Sequence, residues 1–265
     1  MNITKGPFEI ILKSKSWKSF LQNLYELGDS PEYKKIKGNT FEYLTKFYLL
    51  LEPSFAVSIE QVFHHSELPA NIIDDLKLPN PEIGVDLIAK YNDGNYCAIQ
   101  CKFHQDRNTN VTYNELSTFF SVTQRHETYN KLSHRLICTS SNEITNRVRD
   151  IHPEKLGFLT FSDFSSFDES YFEKIHDLIN GKKSSYKKLN PRPHQINAIS
   201  NAFEHFRING LSKGKIIHPC GSGKSLTAYW CAKKLNVKNI LIAVPSLALV
   251  RQTLNVWSTQ SLADQ

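Results

Sequence analysis

The residues whose types and spacing could support catalysis lie between positions 84 and 103. Asp86 stands near the start of an apolar run at residues 85–91, while Gln100 and Lys102 lie in a second run at residues 96–103. The letters N-D-G-N at 92–95 separate the two runs, and these residue types tolerate the positive φ angles of a tight turn. The sequence therefore predicts a β-hairpin, with Asp86 on one strand and Gln100 and Lys102 on the other.

Alternation along a strand places Gln100 and Lys102 on one face, where they could meet Asp86 across the hairpin. A carboxylate and an amide oxygen suit a hard divalent cation. A neighbouring lysine can position water or stabilise negative charge during phosphodiester hydrolysis. The spacing is short and degenerate, and three unrelated polar residues on an exposed hairpin face would give the same pattern.

Two segments of the hairpin, G-V-D-L-I at 84–88 and A-I-Q-C-K-F at 98–103, resemble the active-site hairpin of a known family. It is the Mrr-like branch of the PD-(D/E)xK restriction-endonuclease fold, in which Gln often replaces the middle acidic residue. G-N-T-F-E-Y-L at 38–44 resembles the first helix of that family. The resemblance covers about residues 35–180, and P-E-I at 81–83 departs from the usual Gly-rich lead-in.

The resemblance implies a role for each polar residue of the motifs. Asp86 would be a metal ligand, Gln100 a ligand or orienting group, Lys102 the catalytic lysine and Glu42 a supporting carboxylate. Glu42 could instead simply favour the positive end of a helix dipole. The resemblance also places Gln124 and Arg125 near the active site or the DNA backbone, whereas the residues alone indicate a solvated face.

The remaining pattern of residues 1–180 predicts a mixed α/β core with right-handed crossovers. Helices are predicted at 16–27, 41–51, 72–76, 113–128, 143–151 and 170–180, and strands at 57–63, 135–139 and 157–161. A basic loop is predicted at 34–37, bracketed by Pro31 and Gly38, with Asn39 or Thr40 capping the helix that follows.

A second motif lies near the other end of the chain, after a strand predicted at 215–218. It consists of Gly221, Ser222, Gly223, Lys224 and Ser225. In a loop of this kind backbone N–H groups surround phosphates at a helix N-terminus, the lysine meets the β- and γ-phosphates, and the last serine holds Mg²⁺. His218 stands where the strict Walker A pattern has glycine, so a chance match is the alternative.

Three segments are spaced like the first motifs of superfamily-two helicases, including the motor subunits of restriction enzymes. They are R-P-H-Q at 192–195, H-P-C-G-S-G-K-S at 218–225 and I-L-I-A-V-P-S-L-A-L-V-R-Q at 240–252, with a strand predicted at 240–244. The resemblance implies that Gln195, with Arg192, reads adenine and that residues 245–252 touch the nucleic-acid backbone. Without it, both side chains are ordinary polar residues at a helix start. No D-E-x-H pair, arginine finger or second lobe follows.

Composition sets outer bounds on the function. The chain has 265 residues, 40% hydrophobic and 22% charged, which is ordinary for soluble globular domains. The net charge of +6 favours a polyanionic partner. No apolar run approaches the ~20 residues that span a bilayer, and the N-terminus lacks the features of a signal peptide. We therefore expect no membrane partner. Five cysteines without a metal-site pattern indicate a reduced, cytoplasmic interior.

The sequence as a whole predicts an α/β protein with a restriction-endonuclease-like mixed sheet flanked by helices, followed by an incomplete RecA-like P-loop α/β lobe. The expected boundaries are a nuclease domain at 1–180, a basic linker at 181–190 and the start of the helicase domain at 191–265. The expected partners are double-stranded DNA, ATP, and the remaining helicase lobes or a methyltransferase or specificity subunit.

The expected function is that of a fragment of an ATP-dependent DNA restriction nuclease–helicase, from a truncated construction or a split gene. It would cleave DNA with Mg²⁺ or Mn²⁺ and bind ATP weakly, without ATP-driven unwinding. Two alternatives remain at this point. One is a catalytically inactive DNA-binding remnant, and the other is a helicase accessory domain whose first part only binds partners.

Overall fold

The computed structural model of the chain describes residues 6–79, 84–151 and 153–265. The P-E-I segment at 81–83 lies outside the described residues. The chain divides into two compact units, with the boundary between Ser184 and Ser185. Leu189 exchanges two hydrogen bonds with the Gln260 side chain, at 3.1 and 3.3 Å. The later residues of the stretch at 181–190 therefore pack within the second unit.

The first unit alternates helices with five strands. Its helices are α1 Pro7–Lys13, α2 Trp17–Tyr25, α3 Pro31–Leu51, α4 Pro53–Ala56, α5 Ala70–Leu76, α6 Tyr113–Thr123, α7 His126–Lys131, α8 Asn146–Arg149, α9 Phe161–Phe164 and α10 Glu169–Ile179. Its strands are β1 Ile59–His64, β2 Leu87–Tyr91, β3 Tyr96–Lys102, β4 Leu132–Thr139 and β5 Leu156–Leu159. Short 3₁₀ helices cover His65–Glu67 and Pro153–Lys155.

The five strands form one sheet in the order β1-β2-β3-β4-β5. The first three strands pair antiparallel, and β3, β4 and β5 pair parallel. The predicted hairpin is confirmed, since Leu87 pairs with Ile99 and Gly94 adopts a φ of +84° in the turn. The mixed α/β architecture expected for this part of the chain is therefore confirmed.

Each face of the sheet is covered by its own hydrophobic core. The face towards α1, α2, α3 and α10 buries an aromatic cluster that includes Trp17, Phe20, Phe41 and Phe164. The other face packs against α5, α6 and α8 through residues such as Phe119. Burial on both faces explains why six of the seven residues of β3 are buried. The polar side chains of β3 consequently stand at the margin of a packed core.

The basic loop predicted at 34–37 and the helix start predicted at Asn39 or Thr40 are wrong. Helix α3 runs without a break from Pro31, and Ser30 caps it by accepting the backbone N–H of residue 33 at 3.3 Å. Gly38 lies inside the helix, where a glycine costs ~1 kcal/mol relative to alanine. The buried apolar residues that follow it in α3 outweigh that cost.

Other boundaries differ from prediction where capping residues intervene. The helix predicted at 113–128 is interrupted, because Gln124 is the C-cap of α6 and Arg125 is the N-cap of α7. Both of these side chains are exposed. The helix predicted at 143–151 shortens to the four residues of α8, and α1 was not predicted.

The second unit contains helices α11 Pro193–Phe203, α12 Lys224–Leu235 and α13 Leu247–Ala263, with a π-helical turn at Glu204–Ile208. The strands predicted at 215–218 and 240–244 are wrong, since residues 185–265 as described contain no strand. Ile217 is 81% exposed and Leu241 is 97% exposed. A strand needs a hydrogen-bonded neighbour, and these apolar segments have none within this unit. No helix in the described part of the chain is long and apolar enough to cross a bilayer.

Candidate active site and nucleotide loop

Asp86 lies directly before β2 and extends the hairpin pairing by one residue. Its N–H donates to the Ile99 carbonyl at 3.0 Å. Its Oδ2 accepts from Gln100 Nε2 at 2.5 Å and from the Cys101 backbone N–H at 2.6 Å. Charge-assisted bonds of this kind are short and strong, and the two together fix the carboxylate against β3. The structure thus brings Asp86 and Gln100 into direct contact.

Gln100 presents an amide oxygen that the protein leaves unsatisfied. The residue is 4% exposed, and its Oε1 has no hydrogen-bond partner among the described residues. The bond from Nε2 to the Asp86 carboxylate determines which amide atom is the oxygen. A buried acceptor without a partner costs ~1–3 kcal/mol. A carboxylate beside an unsatisfied amide oxygen is a donor set that fits a hard divalent cation.

Lys102 is the last residue of β3 and shares the face of Gln100. Its side chain is half-buried, and no hydrogen bond or ion pair engages its Nζ within the described ranges. Burial lowers the pKa of the nearby His104 imidazole, and the charge of Lys102 lowers it further, while Glu115 opposes both effects. The lysine therefore lies on the face of β3 that carries Gln100, and no carboxylate in the described ranges is paired with it.

Glu42 reaches the same region from α3. A cavity of about 500 Å³ is lined by Glu42, His64, His65 and Asp86, among other residues. Glu42 Oε2 lies 2.8 Å from His64 Nε2. The N–H of His65 donates to the Asp86 carbonyl at 2.9 Å, which ties the end of β1 to the start of β2. The predicted supporting carboxylate thus shares a cavity with the predicted metal ligand.

The two histidines at the end of β1 were missed by reasoning from the sequence. Burial is the main cause that lowers the pKa of the His65 imidazole, and the neighbouring His64 contributes. The imidazole of His65 is therefore mostly neutral near pH 7. The signal in the sequence is the pair H-H at 64–65, immediately after a predicted strand, but nothing local relates it to Glu42.

Gly84 sets the path by which the chain enters β2. Its φ is +82°, and a methyl group built on it would lie 2.8 Å from both the Phe119 nitrogen and the Thr118 carbonyl carbon. Real side chains essentially never approach backbone this closely, so only glycine permits the contact with α6. The position of Asp86, two residues later, depends on this close approach.

In the second unit, the glycine-rich loop leads directly into α12, as the motif predicts. Gly221 and Gly223 adopt φ angles of +76° and +81°, and Lys224 is the first residue of the helix. Lys224 Nζ donates to the carbonyls of His218 and Pro219 at 3.3 and 3.4 Å. The side chain of Lys224 therefore folds back over the loop, and its ammonium group donates hydrogen bonds to backbone carbonyls of the loop.

Gln195 lies under the loop and is only 3% exposed. Its Nε2 lies within hydrogen-bonding distance of the Ser222 and Gly223 carbonyls, at 3.3 and 3.2 Å, and of Thr227 Oγ1 at 3.2 Å. Its Oε1 accepts the Arg192 backbone N–H at 2.8 Å. In this arrangement the amide of Gln195 supports the loop, and both of its polar ends are used by the protein.

Ser225, expected to hold Mg²⁺, contacts a residue that the sequence reasoning did not single out. Trp257 Nε1 on α13 donates to the Ser225 carbonyl at 3.0 Å and lies 3.1 Å from its Oγ. The serine hydroxyl keeps acceptor capacity in this contact. No local sequence signal links the two residues, because they are 32 positions apart.

Comparisons with known proteins agree with the division of the chain. Residues 50–172 match an Mrr-type family model described as restriction endonuclease, and residues 188–264 match the model of the type III restriction enzyme, res subunit. No curated protein matches the chain.

A solved structure described as the ATP-dependent Type ISP restriction-modification enzyme LlaBIII bound to DNA is similar, with a TM-score of 0.62 at 24% identity. The likeness covers 90% of this chain and 15% of that one, and at this identity it shows the fold. The chain therefore joins an Mrr-type restriction endonuclease domain to a segment of the helicase-like res-subunit family of type III restriction enzymes.

Proposed function

We propose that the first unit hydrolyses phosphodiester bonds of double-stranded DNA with the help of Mg²⁺ or Mn²⁺. The observation that carries the proposal is the Asp86 carboxylate beside the unsatisfied Gln100 Oε1. These two oxygens would hold the cation. When bound, such a cation polarises a phosphate and lowers the pKa of a coordinated water.

The other residues of the site would act on charge and position. The Lys102 ammonium would stabilise the negative charge that develops on the phosphate or orient the attacking water. The bonds from Gln100 Nε2 and the Cys101 N–H would keep the Asp86 carboxylate in place during the reaction. Glu42 would add a second negative charge to the cavity that Asp86 lines. The net charge of +6 favours approach to a polyanion such as DNA.

A plasmid-nicking assay tests this proposal. We expect the chain to convert supercoiled to open-circular plasmid with Mg²⁺ or Mn²⁺ and to lose this activity in EDTA. Asp86→Ala and Lys102→Ala should each reduce the rate by about 100-fold or more. Lys90→Ala is the matched control, because this lysine lies on β2 and pairs with Glu60 at 2.8 Å. Nicking by both site variants at the rate of the control would refute the assignment.

We propose further that the second unit binds ATP through its glycine-rich loop. The glycine geometry at 221 and 223 and the start of α12 at Lys224 support a phosphate site at a helix N-terminus. Binding would require Lys224 Nζ to leave the two backbone carbonyls for the phosphates, and Ser225 would serve Mg²⁺. Lys224→Ala should weaken binding of a fluorescent ATP analogue, with Lys215→Ala as control. Equal affinity in both variants would contradict this role.

The neighbour's description names DNA and ATP. This supports the same two partners here. We propose further helicase lobes or a methyltransferase or specificity subunit as additional partners. Such assemblies would supply the sequence recognition and the ATP-driven movement that this chain's own residues do not explain.

A further inference from the structure

We propose that Glu42, His64 and His65 form a separate binding site for a borderline transition-metal ion, of which Zn²⁺ is the representative. Each residue offers one ligand atom, and the three atoms lie within 4.8 Å of one another. The proposal goes beyond DNA cleavage, because it concerns a different class of cation and two histidines that the nuclease proposal does not use; Glu42 is shared by the two proposals.

The chemistry of the ligands distinguishes this site from the oxygen pair at Asp86 and Gln100. Two imidazoles and one carboxylate suit Zn²⁺ or Co²⁺, whereas Mg²⁺ and Mn²⁺ favour oxygen ligands. A His₂Glu set is a known arrangement for zinc, and three protein ligands leave a position for water. The cluster and Asp86 line one cavity of about 500 Å³, which gives an ion from solution a route to the ligands.

Binding an ion would require the Glu42–His64 contact to open slightly and the third ligand to move closer. Ligand atoms around a tetrahedral Zn²⁺ stand about 3.4 Å apart. Glu42 Oε2 and His64 Nε2 are already 2.8 Å apart, and the His64 and His65 ring centroids are separated by 4.0 Å. A rotation of the half-buried His65 side chain would bring its ring nitrogen, the third ligand atom, closer to Glu42 and His64.

His64 has the supports that metal-ligating histidines usually have. Its ring stacks on Tyr43 at a centroid distance of 4.6 Å and an angle of 13°. Its Nδ1 lies 2.7 Å from Ser66 Oγ and 3.3 Å from the Ser66 N–H. With a metal ion on Nε2, a ring N–H at Nδ1 would have Ser66 Oγ as its acceptor, as the second nitrogen of a metal-bound histidine usually has.

Calorimetric titration with Zn²⁺ in the absence of DNA and Mg²⁺ tests the site on the full chain. Wild type should bind one equivalent of Zn²⁺. Glu42→Gln and His65→Asn should each lower the Zn²⁺ affinity by about tenfold or more. His134→Asn is the matched control, because this histidine is exposed and is not part of the cluster; its affinity should equal that of wild type. Equal Zn²⁺ affinity in wild type and both ligand variants would overturn the proposal.

Asp86→Asn separates this site from the nuclease proposal. The variant should lose Mg²⁺-dependent nicking and keep the Zn²⁺ equivalent, whereas loss of Zn²⁺ binding would place the ion at Asp86 and refute a separate site. Co²⁺ provides a second readout that does not depend on variants that might fold poorly. With wild type we expect visible absorption bands typical of nitrogen-containing four- or five-coordinate Co²⁺ sites. These bands should disappear when Zn²⁺ displaces the Co²⁺. A spectrum identical to that of aqueous Co²⁺ would count against the site.

Discussion

Replacing Gly84 by alanine should disturb both the stability of the first unit and its candidate active site. The new methyl group would lie 2.8 Å from two backbone atoms of α6, at Thr118 and Phe119. Because backbone cannot rotate aside as a side chain can, the lead-in to β2 must shift. A forced fit of this kind costs ~1–3 kcal/mol, in addition to ~1–2 kcal/mol for a non-glycine residue at positive φ. We expect a loss of stability of about 2–5 kcal/mol.

Gly94→Ala is the matched control for this prediction. Gly94 has nearly the same φ, +84°, but nothing lies within 4 Å of an added methyl group. The Gly94→Ala variant should lose only the ~1–2 kcal/mol of stability that a non-glycine residue at positive φ costs. Part of this loss is offset by the lower entropy of the unfolded chain. The difference between the two variants therefore isolates the clash with α6.

The assay is urea unfolding of the first unit, followed by Trp17 fluorescence. Trp17 is 3% exposed in the core of this unit, and the other two tryptophans, at 230 and 257, would be replaced by phenylalanine. Gly84→Ala should unfold with ~1–3 kcal/mol less stability than Gly94→Ala, and it should also nick plasmid more slowly because Asp86 moves. Equal losses of stability in the two variants would refute the argument that Gly84 fixes the entry to β2.

Three further predictions follow from the two units. Burial lowers the pKa of the His104 imidazole, so the unfolded state binds its proton more tightly and stability falls as the pH drops below about 6.5. His104→Gln should therefore reduce the loss of thermal stability between pH 7.5 and 5.5. An unchanged loss would contradict this. Gln195→Ala should lower the stability of the second unit by ~1–3 kcal/mol in urea unfolding, because buried acceptors lose their donor; a change below about 0.5 kcal/mol would count against the support of the loop. Mg²⁺ with an ATP analogue should alter Trp257 fluorescence, since its Nε1 contacts Ser225, and the change should disappear in Lys224→Ala.

The hairpin and the pairing of Asp86 with Gln100 could be predicted because both depend on local rules. The turn residues at 92–95 fix the register, and strand alternation then fixes which side chains face each other. The Asp86–Gln100 contact follows from that register. This part of the site is encoded in 17 consecutive residues, 86–102.

The remainder of the site depends on packing over longer distances. Glu42 and His64 are 22 positions apart and meet only because α3 lies beside the end of β1. The continuity of α3 through Gly38 was likewise missed, since the local signal of a helix breaker is overridden by the buried face that follows. At residues 240–244 the composition indicates a strand, but a strand forms only where a neighbour supplies hydrogen bonds.

The most direct test of the central claim is the Mg²⁺ dependence of plasmid nicking in variants of Gln100. Gln100→Leu removes the amide oxygen, together with the Nε2 that donates to Asp86, while keeping a side chain of similar size, and Gln100→Glu restores an oxygen alone. We expect the leucine variant to raise the Mg²⁺ concentration for half-maximal rate by about tenfold or more, and the glutamate variant to return it close to that of wild type. Identical Mg²⁺ dependence in wild type and Gln100→Leu would contradict the claim that Asp86 and Gln100 together hold the cation that supports DNA cleavage.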